Sequence, residues 1–290
     1  MTGKRFVKDF RISPGDQVRL RDFNPSYKGH YQKPEALNRV EELCEKMGDL
    51  QQRLFAERKR SLLIVLQALD AGGKDGVIKH VIGSMNPDGC HVANFKEPTQ
   101  QELAHDFLWR IEAQTPARGE IAIFNRSHYE DVLIVRVHNL VPKSVWSQRY
   151  DQINDFERRL AQNGTHILKF FLHISREEQL RRFDQRLDDP AKRWKISEAD
   201  YAEREYWDDY LRAYEDAFAQ CNTDDAPWFV IPADHKWFRD LAISEIIVAT
   251  MQDMNFEVPK PTVDIEEIRR KYHLAAKGKH AGKSSKRRTR

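Results

Sequence analysis

Cysteine is scarce in this chain of 290 residues: Cys44, Cys90 and Cys221 are too few and too far apart for a disulfide framework or a zinc site, and they read as reduced thiols. No apolar run approaches the roughly 20 residues that a membrane helix needs. The first ten residues, MTGKRFVKDF, have no apolar signal core. These absences set the expectation of a cytoplasmic protein with no membrane partner. There is no internal repeat. Hydrophobic residues make up only 40% of the chain and charged residues 32%, which implies a heavily charged surface or groove.

The formal net charge of +3 conceals two opposed parts. The tail 277–290, KGKHAGKSSKRRTR, carries seven Lys and Arg; without it, 41 basic side chains stand against 45 acidic ones. Such a tail buries no apolar surface, so the expectation is a disordered basic extension, either solubilising or in contact with polyanions. Three parts are expected: an irregular, loop-rich N-terminal arm over 1–33, a core over 34–256, and a C-terminal extension over 257–290.

Within the core, short apolar runs alternate with longer amphipathic segments. A helix is expected from Pro34 to about Lys59, where Leu37, Val40, Leu43, Met47, Leu50 and Leu54 recur at three and four. Strands are expected over 62–68, 90–95, 120–124, 165–174 and 228–231. Helices are expected over 76–85, 99–114, 144–163, 175–187, 197–221 and 237–254. Thr99 with Glu102, Ser175 with Glu178, and Ser197 with Asp200 have the spacing of N-terminal caps. This alternation predicts an α/β protein with a parallel sheet flanked by helices. Continuously apolar strands such as LLIVL fit a sheet covered on both faces. Ligands in such folds bind at the carboxyl ends of strands.

After the first strand comes 68-ALDAGGKD-75, close to the phosphate-loop pattern G-x-x-x-x-G-K-[ST] but without its first glycine and its hydroxyl residue: Ala68 and Asp75 stand there instead. The turn Gly72-Gly73-Lys74-Asp75-Gly76 at a helix start would offer backbone N–H groups to phosphate, with Lys74 as a point charge. Asp70 and Asp75 would repel phosphate unless a divalent cation lies between them. After the third strand comes 124-FNRSHYEDVL-133, a polar cluster of Asn125, Arg126, Ser127, His128, Tyr129, Glu130 and Asp131. No second ligand lies at zinc-like spacing from His128. After the fourth strand, Arg181, Arg182 and Arg186, then Lys192, Arg193 and Lys195, suggest a helical lid that closes over a phosphorylated substrate.

Taken together, 67-QALDAGGKDG-76, 124-FNRSHYEDVL-133 and 186-RLDDPAKRWKIS-197 resemble the polyphosphate kinase 2 family, from about Val18 to Met254. The resemblance implies a three-layer P-loop kinase fold related to thymidylate kinases, with a helical lid over about 175–221. It implies phosphoryl transfer between inorganic polyphosphate and nucleotides with Mg²⁺ or Mn²⁺. Carried onto this chain, Asp70, Lys74 and Arg126 would be catalytic. Gly72, Gly73, Lys74, Asp75, Gly76, Arg182, Lys192, Arg193 and Lys195 would bind polyphosphate. Asp70, Asn125, Arg126, His128, Tyr129, Glu130 and Asp131 would bind nucleotide, and Asp70 and Asp75 would hold the metal. The form N-R-S-H-Y-E-D is similar to that of members that accept both AMP and ADP, with GMP and GDP as further candidates. Relatives suggest a homodimer or homotetramer; no specific nucleic acid is implied. AMP-only or ADP-only transfer, an ATP-dependent P-loop kinase, and a polyanion-binding protein with a relic loop remain alternatives at this stage.

Overall fold

A computed structural model describes residues 3–274 of the chain; the basic tail 277–290 lies outside the described residues. Met1–Phe256 and Glu257–Arg290 form separate compact units. The first is built on five parallel strands, β1 (Ser61–Gln67), β2 (Cys90–Asn94), β3 (Ile121–Asn125), β4 (Thr165–His173) and β5 (Trp228–Pro232), in the order β2-β3-β1-β4-β5. Every residue of β1 is buried, as its unbroken apolar run predicted. From β1 the chain crosses to β2 on one side, and from β3 it crosses over β1 to β4 on the other. The strand order therefore reverses beside β1, and the ends of β1, β3 and β4 align there, with Leu66 opposite both Asn125 and Phe170.

Helices cover the sheet. They are α1 (Gly3–Phe10), α2 (Lys33–Glu57), α3 (Lys74–His80), α4 (Gln100–Leu103), α5 (Trp109–Glu112), α6 (Ile134–Val137), α7 (Lys143–Trp146), α8 (Arg149–Gln162), α9 (Arg176–Asp188), α10 (Glu198–Ala202), α11 (Trp207–Gln220) and α12 (Lys236–Asp253). The second unit holds α13 (Ile265–Ile268), capped by Asp264, and a π-helical turn over Arg269–Leu274. α2 buries Ala36, Val40, Leu43, Met47, Leu50 and Leu54 as its periodicity required, although Ala36 takes the inward place expected of Leu37, which is 48% exposed. It packs against α12, which is buried along most of its surface. Among the described residues no helix is long and apolar enough to cross a membrane.

Three expectations need correction. The N-terminal arm is not irregular throughout: residues 11–32 are loop and turn apart from a 3₁₀ turn at Leu20–Asp22, but α1 buries Phe6 and Phe10 in an aromatic cluster with Tyr27, Tyr31 and Phe238, and Ile12 N donates to Trp228 O at 3.0 Å, which ties the arm to β5. The basic side chains of α1, Lys4, Arg5 and Lys8, with Arg11 just after it, hid this apolar face in the sequence. The helix expected over 99–114 is two single turns, α4 and α5. The Thr99–Glu102 capping box forms as foreseen, but Asp106 then captures the Leu108 N–H at 3.0 Å and opens a turn. The helix expected over 197–221 is broken into α10, a 3₁₀ turn over Glu203–Tyr206, and α11. The break falls where Glu203 turns in to accept from Tyr210 at 3.0 Å and to meet His138.

Candidate active site

The phosphate-loop sequence forms the turn between β1 and α3. Ala71 and Gly73 adopt left-handed backbone, φ 58° and 110°. Gly73 is obligatory twice over, because a Cβ there would also overlap the Arg239 guanidinium, which packs beneath the loop. A Cβ at Gly76 would lie 2.8 Å from the same group. Arg239 is buried and fixed by Asp240, which accepts from its Nε and Nη2 at 2.9 and 2.7 Å. Lys74, half-buried, folds back to donate to Ala68 O at 3.1 Å. Burial and the neighbouring Arg126 lower its pKa, against the pull of Asp70, Glu130 and Asp75.

Two cavities meet at this turn. The larger, about 620 Å³, is lined by the loop 70–76, by Asn94, Phe95 and Lys96 at the end of β2, and by Asn125 and Arg126 at the end of β3. Arg182, Gln185, Arg186, Lys192, Trp194, Lys195 and Asp200 from the segment after β4, Lys236 and Arg239 after β5, and His80 at the end of α3 complete it. Nine Lys or Arg line it against three carboxylates, so its field favours a polyanion. The smaller, about 210 Å³, has a different character. Leu69, Leu133, Ile134, Trp207, Tyr210 and Tyr214 give it apolar and aromatic walls, and Glu130, Gln179 and Glu203 supply polar groups. Asp70 and Arg126 line both. Their ion pair, 3.2 Å, is the shared wall.

Arg126 holds φ 61°, a costly conformation for a side-chain-bearing residue, and is fastened by its N–H to Leu66 O at 3.1 Å. Asn125 donates to Asp75 at 3.2 Å and to Asn94 at 2.9 Å, which aligns the ends of β2 and β3 with the loop. Lys195 reaches from the segment between α9 and α10 to Asp75 at 2.9 Å. Burial would raise the Asp75 carboxyl, yet Lys195 and Asn125 overcome it and hold the group below its usual value. Asp70 and Asp75 are oxygen donors on one turn, which fits a hard divalent cation. Among the described residues no cluster of three His, Cys, Asp or Glu could hold an ion alone. Two carboxylates with ligands completed by phosphate and water match how Mg²⁺ is usually bound in kinases.

Of the expected site residues, Asp70, Gly72, Gly73, Lys74, Asp75, Gly76, Asn125, Arg126, Lys192 and Lys195 come together in the larger cavity, and Glu130 lines the smaller. Others are placed differently. His128 and Tyr129 point into the core, fully buried, and bond Glu157 at 3.2 and 2.9 Å; neither faces a cavity. Asp131 is turned aside to Arg149 at 2.8 Å, and burial raises its carboxyl to about 6. Arg193 donates to Leu187 O and lines neither cavity. Arg182 is only 5% exposed and serves the loop from below. It donates to Ala71 O at 2.8 Å and Gly72 O at 3.0 Å, and also to Ala233 O, while Glu178 pairs with it at 2.6 Å. Its guanidinium thus fixes the turn, although it also reaches the cavity lining.

Sequence reasoning missed Lys236 and Arg239, although the strand-end rule applied to 232-PADHKWFR-239 would have found them. It also missed Glu203, Trp207, Tyr210 and Tyr214, whose helix was taken only as part of a lid.

Comparison with known proteins accords with this geometry. Residues 30–259 match the family described as polyphosphate kinase 2. The AMP/ADP-polyphosphate phosphotransferase of Meiothermus ruber is 48% identical over 90% of this chain and 99% of its own length. The ADP-polyphosphate phosphotransferase of Rhodopseudomonas palustris is 44% identical over 88% and 93%. The crystal structure of polyphosphate kinase 2 from Arthrobacter aurescens TC1 is similar with a TM-score of 0.89 and 40% identity, covering 94% of this chain and 96% of that one. Basic cleft, variant phosphate loop and family match converge: the chain belongs to the polyphosphate kinase 2 family and is a phosphotransferase.

Proposed function

We propose that the enzyme transfers the terminal phosphoryl group of inorganic polyphosphate to AMP and to ADP, with polyphosphate in the larger cavity and nucleotide in the smaller. The observation that carries this reading is the junction of a strongly basic cavity with an aromatic one at Asp70 and Arg126. A polyphosphate chain bears about one charge per residue and suits the first; a nucleoside suits the second, where Trp207, Tyr210 and Tyr214 offer ring faces and Glu130 and Glu203 accept hydrogen bonds.

Transfer would be in line. An oxygen of the acceptor phosphate attacks the terminal phosphorus, a new P–O bond forms, and the bond to the chain breaks, leaving polyphosphate one unit shorter. The acceptor is already anionic, so no strong base is required. The loop N–H groups and Lys74 hold the donor, and Arg126, at the junction, neutralises the group in flight. Lys192 and Lys195 would draw the lid onto the chain. Asp70 and Asp75 would hold Mg²⁺ or Mn²⁺, which supplies further neutralisation of phosphate charge.

The test supplies AMP and ADP separately with long-chain polyphosphate and Mg²⁺ and follows products by chromatography. Both acceptors should react, with AMP giving ADP and then ATP. Reaction of one acceptor alone would contradict the dual assignment.

A further inference from the structure

The core holds a charged group that the transfer does not use. Lys169, in the middle of β4, is fully buried. All three of its ammonium hydrogens have acceptors: Tyr129 Oη at 2.8 Å, Glu157 Oε2 at 2.6 Å and Cys221 O at 2.6 Å. Tyr129 in turn donates to Glu157 Oε1 at 2.9 Å, and His128 Nε2 lies 3.2 Å from that oxygen. The ammonium also sits over the rings of Tyr129 and Trp228, 5.2 and 5.3 Å from their centres.

The three acceptors come from three elements. Tyr129 belongs to the turn after β3 that carries Arg126 and Glu130. Glu157 is on α8. Cys221 ends α11, the helix that presents Trp207, Tyr210 and Tyr214. One ammonium therefore joins the turn after β3, α8 and the C-terminal end of α11 to the sheet, and two of these elements also carry side chains that line the smaller cavity. A buried ion pair is an expensive way to stabilise a core, and apolar side chains of similar volume often do as well or better. What the charged group adds is a single buried junction among elements that other polar contacts join only in pairs, Arg149 to Asp131 and Asn154 to Gln220 O.

We propose that Lys169, Glu157 and Tyr129 are positioning residues for the acceptor nucleotide. Their network sets the gap between the Arg126–Glu130 turn and the aromatic face of α11 without touching substrate. This rests on the nucleotide reading of the smaller cavity given above.

The test measures kcat, KM for ADP and KM for polyphosphate in Tyr129→Phe and Lys169→Met, with thermal melts alongside. Tyr129→Phe should raise KM for ADP about tenfold, a coupling within the range for a hydrogen-bonded network, and leave KM for polyphosphate unchanged. Lys169→Met should act in the same direction and more strongly. If that variant does not fold, Tyr129→Phe, which removes one hydroxyl, decides alone. A lower melting temperature with both KM values unchanged would make the network purely structural and overturn the proposal. A parallel rise in both KM values would overturn it as well, since the loosening would then be general. Trp207→Ala, which alters the cavity wall directly, separates the two layers of the argument. If it leaves KM for ADP unchanged, the nucleotide lies elsewhere and the cavity reading fails, taking the proposal with it. If it raises KM for ADP while Tyr129→Phe does not, only the positioning role fails.

Discussion

At the residue scale the site depends on a few side chains placed at high cost. Lys74 is the cation that the loop itself contributes to the lining of the larger cavity, its ammonium folded back onto Ala68 O. Lys74→Ala should lower turnover about a hundredfold or more while leaving the melting temperature near that of the parent, because the loop keeps its fastening to Arg182. Comparable kcat values in the two proteins would remove Lys74 from the chemistry. Gly73→Ala should be harsher on the fold. With φ at 110° and Arg239 in the way, it should cost about 1–3 kcal/mol of stability and abolish transfer; an active variant of normal stability would show that the loop is not held as described. His173 gives a pH prediction. Burial lowers its pKa, so the unfolded chain takes up a proton first as pH falls below about 6.5. Stability attributable to it is present above that pH and is lost on acidification. Melts at pH 7 and pH 5.5 should show a smaller loss in His173→Gln than in the parent, and equal losses would contradict the assignment.

At the scale of elements, the segment from α9 to α10 links the basic face to the loop through Lys195 and Asp75. Replacing both Lys192 and Lys195 by Ala should raise KM for polyphosphate severalfold at low salt and less at high salt, since partly exposed charges are screened. A change confined to nucleotide KM would place the lid over the wrong substrate. The elements also show what could be read beforehand. The alternation of apolar runs announced the parallel sheet, and the caps at Thr99, Ser175 and Ser197 formed as their spacing required. The strand-end rule located Asp70, Lys74, Asn125 and Arg126. It could not show which way consecutive side chains of a 3₁₀ turn point, and the resemblance then gave His128 and Tyr129 of that cluster to the nucleotide, although both are buried in the core. The break in the 197–221 helix was hidden for a similar reason, because it depends on Glu203 meeting His138, a residue 65 positions away.

At the scale of the molecule, the larger and smaller cavities both lie within Met1–Phe256. Deleting 277–290 should therefore leave kcat intact, and loss of all polyphosphate interaction in the truncated protein would favour a binding protein that works through its tail. The central claim is that the donor is polyphosphate. The most direct measurement incubates the purified protein with AMP and Mg²⁺, giving it polyphosphate alone in one reaction and ATP alone in another, and quantifies ADP. The account predicts ADP in the reaction that holds polyphosphate and no ATP, abolished when a chelator removes the metal. ADP formed only in the ATP reaction would contradict it.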